Sequence, residues 1–193
     1  MRGKDLHIIT VTPPATSAVL LQQAKEALRI DHADEDALLS AYLAAAVEYC
    51  EARLNQALIT QTKRLILPRW GTAGVIALPY PPLRAIESVK YYDDGVLTTW
   101  EAANYVVDIQ GRPGRLWPAE GVGYPSHDAR PDAIQITFEC GWGNAATDVP
   151  EIIRIAIEKI VHDLYEDRST GMEIRGDRIL DRLLAVASIG HEM

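Results

Sequence analysis

The sequence predicts an α+β fold: a helical bundle from N- and C-terminal helices with an inserted antiparallel β segment. Three observations carry this. Apolar residues recur at spacings of three and four over Leu38, Ala41, Tyr42, Ala45, Tyr49 and Ala52, and again over Ile153, Ala156, Ile157, Ile160, Val161 and Leu164. Between those stretches the period drops to two, most clearly where Ile134, Ile136, Phe138 and Cys140 alternate with Gln135, Thr137 and Glu139. The rest of the middle is filled by short runs of β-branched and aromatic residues, separated by Gly, Pro and Asp.

After Pro13 and Pro14, a first amphipathic helix is expected over about residues 16–30, with Leu20, Ala24, Ala27 and Leu28 on one face. The acidic joint Asp31, Asp34, Glu35 and Asp36 suits the positive N-terminal end of the next helix. That second helix carries small alanines that permit close packing against a neighbour. Strands are expected over about residues 60–67, 75–78, 85–92, 96–100, 105–109 and 133–140, and Asp93-Asp94-Gly95 marks a hairpin because Asp and Gly accept left-handed backbone angles. Residues 110–131, rich in Gly and Pro, read as a long loop able to carry contacts. Helix resumes after Asp148, which stands at capping-box spacing from Glu151 with Pro150 between them. A last short helix is expected near 177–187, with Ile179, Leu180, Leu183, Leu184 and Ala187 on one face. The expected organisation is a domain over residues 1–170, with helices 16–55 and 148–168 and a β insertion of about 60–142, followed by a C-terminal arm or helix at 171–193.

The chain has 193 residues, 19 Lys and Arg against 27 Asp and Glu, and a formal charge of −8. Gripping nucleic-acid backbone needs the opposite sign, since affinity comes from neutralising phosphates. Two cysteines, Cys50 and Cys140, make neither a disulfide framework nor a zinc site, and read as small core hydrophobes. No secretion signal is expected, because Thr10, Thr12, Pro13 and Pro14 interrupt the first apolar run. No stretch approaches the roughly 20 apolar residues that span a bilayer, so a soluble protein made in a cytoplasm-like compartment is expected.

The chemistry-bearing residues form no catalytic set. No Gly-x-Ser-x-Gly elbow is present, and Gly111-Arg112-Pro113-Gly114-Arg115 lacks the Gly-Lys-Ser/Thr end of a phosphate-binding loop. Glu158, His162 and Glu166 lie one helical turn apart and are the best metal candidates, but a solvated helix face with ordinary pairs such as Arg154 to Glu158 and Lys159 to Asp163 gives the same pattern. His32 among its acidic neighbours is explained by the helix start. Catalytic, cofactor and metal sites are therefore expected to be absent. Trp70, Trp100, Trp117 and Trp142 lack the basic surroundings of a base-stacking platform. Trp117 and Trp142 are taken as packing or interface anchors. They join Leu180, Leu183 and Leu184 as candidate partner-interface residues.

The order of segments resembles the head-tail connector, or adaptor, proteins of tailed bacteriophages and gene transfer agents. The resemblance lies in Asp34-Glu35-Asp36-Ala37-Leu38-Leu39, then Ala44-Ala45-Ala46-Val47-Glu48-Tyr49 and Leu58-Ile59-Thr60-Gln61-Thr62. It continues in Leu78-Pro79-Tyr80-Pro81-Pro82-Leu83, Ile86-Glu87-Ser88-Val89-Lys90-Tyr91-Tyr92-Asp93-Asp94-Gly95, Tyr105-Val106-Val107-Asp108, and Gly141-Trp142-Gly143 through Asp148-Val149-Pro150-Glu151 to Asp167-Arg168. It covers roughly residues 17–170, and 179–193 lack the proline-tyrosine-arginine close of many members. The resemblance implies a non-enzymatic structural protein of the virion neck, made in the bacterial host cytoplasm. It would form a homo-oligomeric ring, commonly of about twelve copies, between the portal and a stopper or tail protein, with DNA passing through the lumen without specific binding and with no membrane partner. The alternatives are another neck component, such as a stopper or tail-completion protein, an interaction module unrelated to virions, or a small metal-dependent enzyme.

Overall fold

A computed structural model describes residues 7–71, 74–166 and 178–189. Among them are eight strands and four α-helices, in two compact units. Residues 1–14 and 60–141 form a strand unit, and 15–59 with 142–193 form a helical unit. This corrects the predicted bundle with a β insert. The β part is two antiparallel sheets with a core of their own, and it takes its first strand from ahead of every helix.

In the strand unit, β1 (His7–Thr12), β2 (Gln61–Leu67), β8 (Ile134–Cys140), β4 (Leu83–Asp93) and β5 (Val96–Trp100) lie side by side in that order, every pair antiparallel. A second sheet has the order β3 (Ile76–Leu78), β7 (Gly114–Pro118), β6 (Tyr105–Asp108). β8 is central because it is apolar on its inner face, with Ile134, Ile136 and Phe138 fully buried. It pairs Ile136 with Leu65 on one side and with Val89 on the other. The sheets meet where Leu83 packs on Gly114; a Cβ added at Gly114 would sit 2.5 Å from Leu83 Cδ2, so only glycine fits.

The hairpin signal is borne out. Asp93 pairs with Val96, and Asp94 and Gly95 have φ of 50° and 78°. Both of their amides donate to the Asp128 carboxylate, at 3.1 and 2.8 Å. Asp128 thereby ties part of the Gly/Pro-rich stretch to the hairpin, and Trp70 ties a second point by donating Nε1 to the Pro125 carbonyl at 2.8 Å. Trp70 also stacks on Tyr124 at 4.8 Å and tilts against Trp100 at 5.3 Å. The stretch read as one loop at 110–131 contains a strand, β7. Its single apolar inward position, Leu116 between Gly114 and Pro118, gave too short an alternation to show a period.

In the helical unit, α1 (Leu21–Leu28), α2 (Asp36–Leu54), α3 (Glu151–Glu166) and α4 (Arg178–Ile189) enclose Leu39, Leu43, Ala46, Ile153, Ile157, Ile160 and Leu164. α1 is shorter than expected and turned. Ala24 and Lys25 are buried while Leu20 and Ala27 are exposed. Lys25 accepts burial because its Nζ donates to Asp36 at 2.6 Å, at the acid-favouring N-terminus of α2. The acidic joint is closed from α3, where the Tyr165 hydroxyl donates to Glu35 at 2.6 Å. Asp148 caps a short 3-10 turn by accepting from Ala145 N at 2.9 Å.

Candidate functional site

Five residues were singled out as partner contacts, and the structure places them differently. Trp117 sits on the middle strand of the three-stranded sheet, opposite Val106 of β6. Alternation along β7 buries Gly114 and Leu116 and leaves Arg115 exposed and Trp117 half-buried on the outer face. The register of β3, with Ile76 opposite Leu116, carries Val75 to the position beside Trp117. Val75 is 42% exposed and Val106 44%. The half-buried indole and the two exposed valines thus form a small apolar patch on the outer face of this sheet. Neither valine was picked out by sequence reading, and the signal that could have found them is the cross-strand register, which no single strand reveals.

Trp142 is half-buried against the core of the helical unit, and its amide donates to the Leu58 carbonyl at 3.1 Å. Leu180 and Leu184, on α4, are each 2% exposed and belong to that same core, with Leu183 packed beside them. In this conformation their apolar surface is occupied by α2 and α3 of their own chain. The outward side of α4 is instead Asp181, Arg182 and Val186.

A second surface lies on α2. Its apolar residues are spread round the helix, and only Leu39, Leu43, Ala46 and Cys50 are buried. Ala37, Leu38, Ala41, Ala44, Ala45 and Ala52 face solvent, interrupted by the exposed polar residues Ser40, Glu48 and Arg53. So many alanines on an outward face let another element approach closely.

The charge divides between the units. The strand unit has ten Lys and Arg against ten Asp and Glu, whereas the helical unit has nine against seventeen and so carries the whole −8.

The chemistry-bearing groups are quiet. His162 and Glu166 are exposed, and among the described residues no group of three His, Cys, Asp or Glu could hold a metal ion. Arg154 pairs with Glu151 rather than with Glu158, while Lys159 pairs with Asp163 at 3.2 Å. Burial pushes the Cys50 thiol up to about 12, with Glu51 adding to the shift, the reverse of what a nucleophile needs. Among the described residues no helix is long and apolar enough to cross a membrane.

Comparison with known proteins gives these surfaces a context. Residues 19–93 match the family described as phage gp6-like head-tail connector protein. No curated protein matches. Among solved structures, a chain of the virion of a native gene transfer agent particle is 25% identical, with a TM-score of 0.77 over 92% of this chain and 93% of that one. A chain of the neck of an empty gene transfer agent particle, computed with C6 symmetry, is 25% identical with a TM-score of 0.75, over 92% and 94%. A chain of the native particle's neck, computed with C12 symmetry, is 24% identical with a TM-score of 0.73, over 92% and 94%. The resemblance to head-tail connectors read from the sequence is borne out.

Proposed function

We propose that this protein is a structural subunit of the neck of a virion or virion-like particle, a head-tail connector that is not an enzyme. The observation that carries this is the agreement of two likenesses, one to the connector family over residues 19–93 and one to neck and virion chains over nearly the whole fold.

In this reading the chain closes into a ring between a portal and a stopper or tail protein, and DNA passes through the lumen. Three features support it. A ring needs a lateral contact repeated head-to-tail, and the exposed apolar face of α2 is suited to being covered by a neighbouring copy, because its alanines let another element approach closely. The helical unit carries the net negative charge, and turned toward the lumen it would keep passing DNA from sticking by like charge. The patch of Val75, Trp117 and Val106 anchors a neck partner. The C-terminal helix supplies the portal contact through its outward side, or through Leu180, Leu183 and Leu184 if it leaves its own core on assembly.

The test is to make particles without this chain. DNA-filled heads and separate tails are expected to accumulate, and normal tailed particles would overturn the proposal. Complementation with Arg182→Glu and Val186→Asp, both exposed on α4, is expected to leave the core intact and fail at the portal; full complementation would remove the portal role of that side of the helix.

A further inference from the structure

β1 is held in the strand unit chiefly by its backbone ladder. Five of its six residues are exposed, and only Ile8 is half-buried. Its register with β2 runs from His7 opposite Ile66 to Thr12 opposite Thr62, and Lys63 Nζ donates across the pair to the Thr10 hydroxyl at 3.2 Å. β2 needs a strand there. Leu65 is fully buried on its inner face, and without β1 the whole outer row of β2 backbone groups would be an open edge. The strand β2 requires is defined by backbone pairing and by one shallow apolar contact, and any copy of residues 7–12 supplies both.

The connection to β1 points the same way. β2 lies on the far side of α1 and α2 in sequence, so its pairing with β1 closes a loop through the helical unit. From Thr12 the chain passes through Pro13 and Pro14, both exposed, and enters the helical unit at the exposed Ala15. Prolines hold such a segment extended, at about 3.1 Å per residue, which favours reaching outward over folding back. The strand itself, His-Ile-Ile-Thr-Val-Thr, is β-branched and without Asp, Glu, Lys or Arg, so no fixed charge pair ties it to its own chain.

We infer that in the assembled ring β1 is exchanged: residues 7–12 of each copy pair with β2 of the adjacent copy. This rests on the ring reading above. An exchange of one element between identical copies keeps every native pair and changes only the path of the linker. In a closed ring each copy gives one strand and receives one, so no edge is left open. Neighbours in a ring are also held at high effective concentration, which favours the intermolecular pair over the same pair in dilute monomer.

Ile9 and Arg64 are direct partners in the ladder, so they report the exchange. Two single variants, Ile9→Cys and Arg64→Cys, are co-assembled, oxidised and run on a non-reducing gel. A covalent dimer containing one of each variant is expected, absent when either is assembled alone. The double variant Ile9→Cys/Arg64→Cys is expected to give covalent ladders from assembled particles and an internally bridged monomer from dilute protein. Internal bridging in both samples shows that the pair is within reach and that the strand stays at home, which overturns the exchange while leaving the ring intact. Mass measurement on the same assemblies separates that result from failure of the ring itself, since an absence of closed oligomers would remove both.

Discussion

At the scale of single residues, Cys50 shows how burial fixes a chemical role. Its side chain is fully enclosed on the inner side of α2, and desolvation of the thiolate moves its pKa from 9.0 to about 12. Raising a folded-state pKa above the unfolded value stabilises the fold wherever the thiol is neutral in both states, and that contribution fades once the unfolded chain can ionise. Below about pH 9 the advantage of Cys50 over alanine is therefore constant, and from there towards pH 12 it is lost. Urea unfolding of wild type and Cys50→Ala, followed by helical circular dichroism, is expected to show a gap of about 1–2 kcal/mol at pH 7–8. That gap narrows by about 1 kcal/mol at pH 10. A gap that widens with pH would mean the thiolate is welcomed in the fold. Lys25 illustrates the opposite outcome, a buried cation that stays tolerable because Asp36 lies 2.6 Å away.

At the scale of elements, α2 is the helix whose composition and surroundings disagree most. In an isolated chain its outward alanines have nothing to pack on, so a polar substitution there costs the monomer little. In a ring where that face is covered, the same substitution buries an unpaired charge. Ala45→Glu is accordingly expected to unfold within about 0.5 kcal/mol of wild type and to fail to form rings by native mass spectrometry. Rings of normal size would move the lateral contact to another element.

The elements also differ in how far the sequence revealed them. β8 was legible because burial on one face forces a strict alternation, and the β4–β5 hairpin because Asp94 and Gly95 must take positive φ. α3 was legible from its wide apolar stripe. β1 was not, since a strand that buries almost nothing leaves no alternation to read. The orientation of α1 was hidden because Lys25 goes inward only with a partner eleven residues on. The bundle-with-insert reading failed for a related reason. It counted strands as local runs, whereas the two sheets hold together through partners such as Leu65 with Ile136, whose distance along the chain no periodicity records. Of the candidate contacts, the apolar face of Leu180 and Leu184 was legible as needing a partner, but not that the partner is α2 and α3 of the same chain, which lie far away in sequence.

At the scale of the molecule, the −8 charge becomes informative once it is divided, because it falls entirely on the helical unit. Salt limits its reach to roughly 8 Å at physiological ionic strength, so it protects a DNA path only if the acidic surface lines that path. The assignment is testable by moving equal charge on each unit. Asp31 and Asp34 are exposed in the joint before α2, and Asp93 and Glu101 are exposed on the strand unit. Asp31→Lys with Asp34→Lys shifts the formal charge by four, as does Asp93→Lys with Glu101→Lys. If the helical unit lines the lumen, rings with the first pair retain linear DNA in low salt and release it as salt rises, because each added cation brings counterion release. Rings with the second pair, of identical net charge, retain no more DNA than wild type. Retention by the second pair alone would assign the lumen to the strand unit, and equal retention by both would show that net charge rather than position governs the passage of DNA.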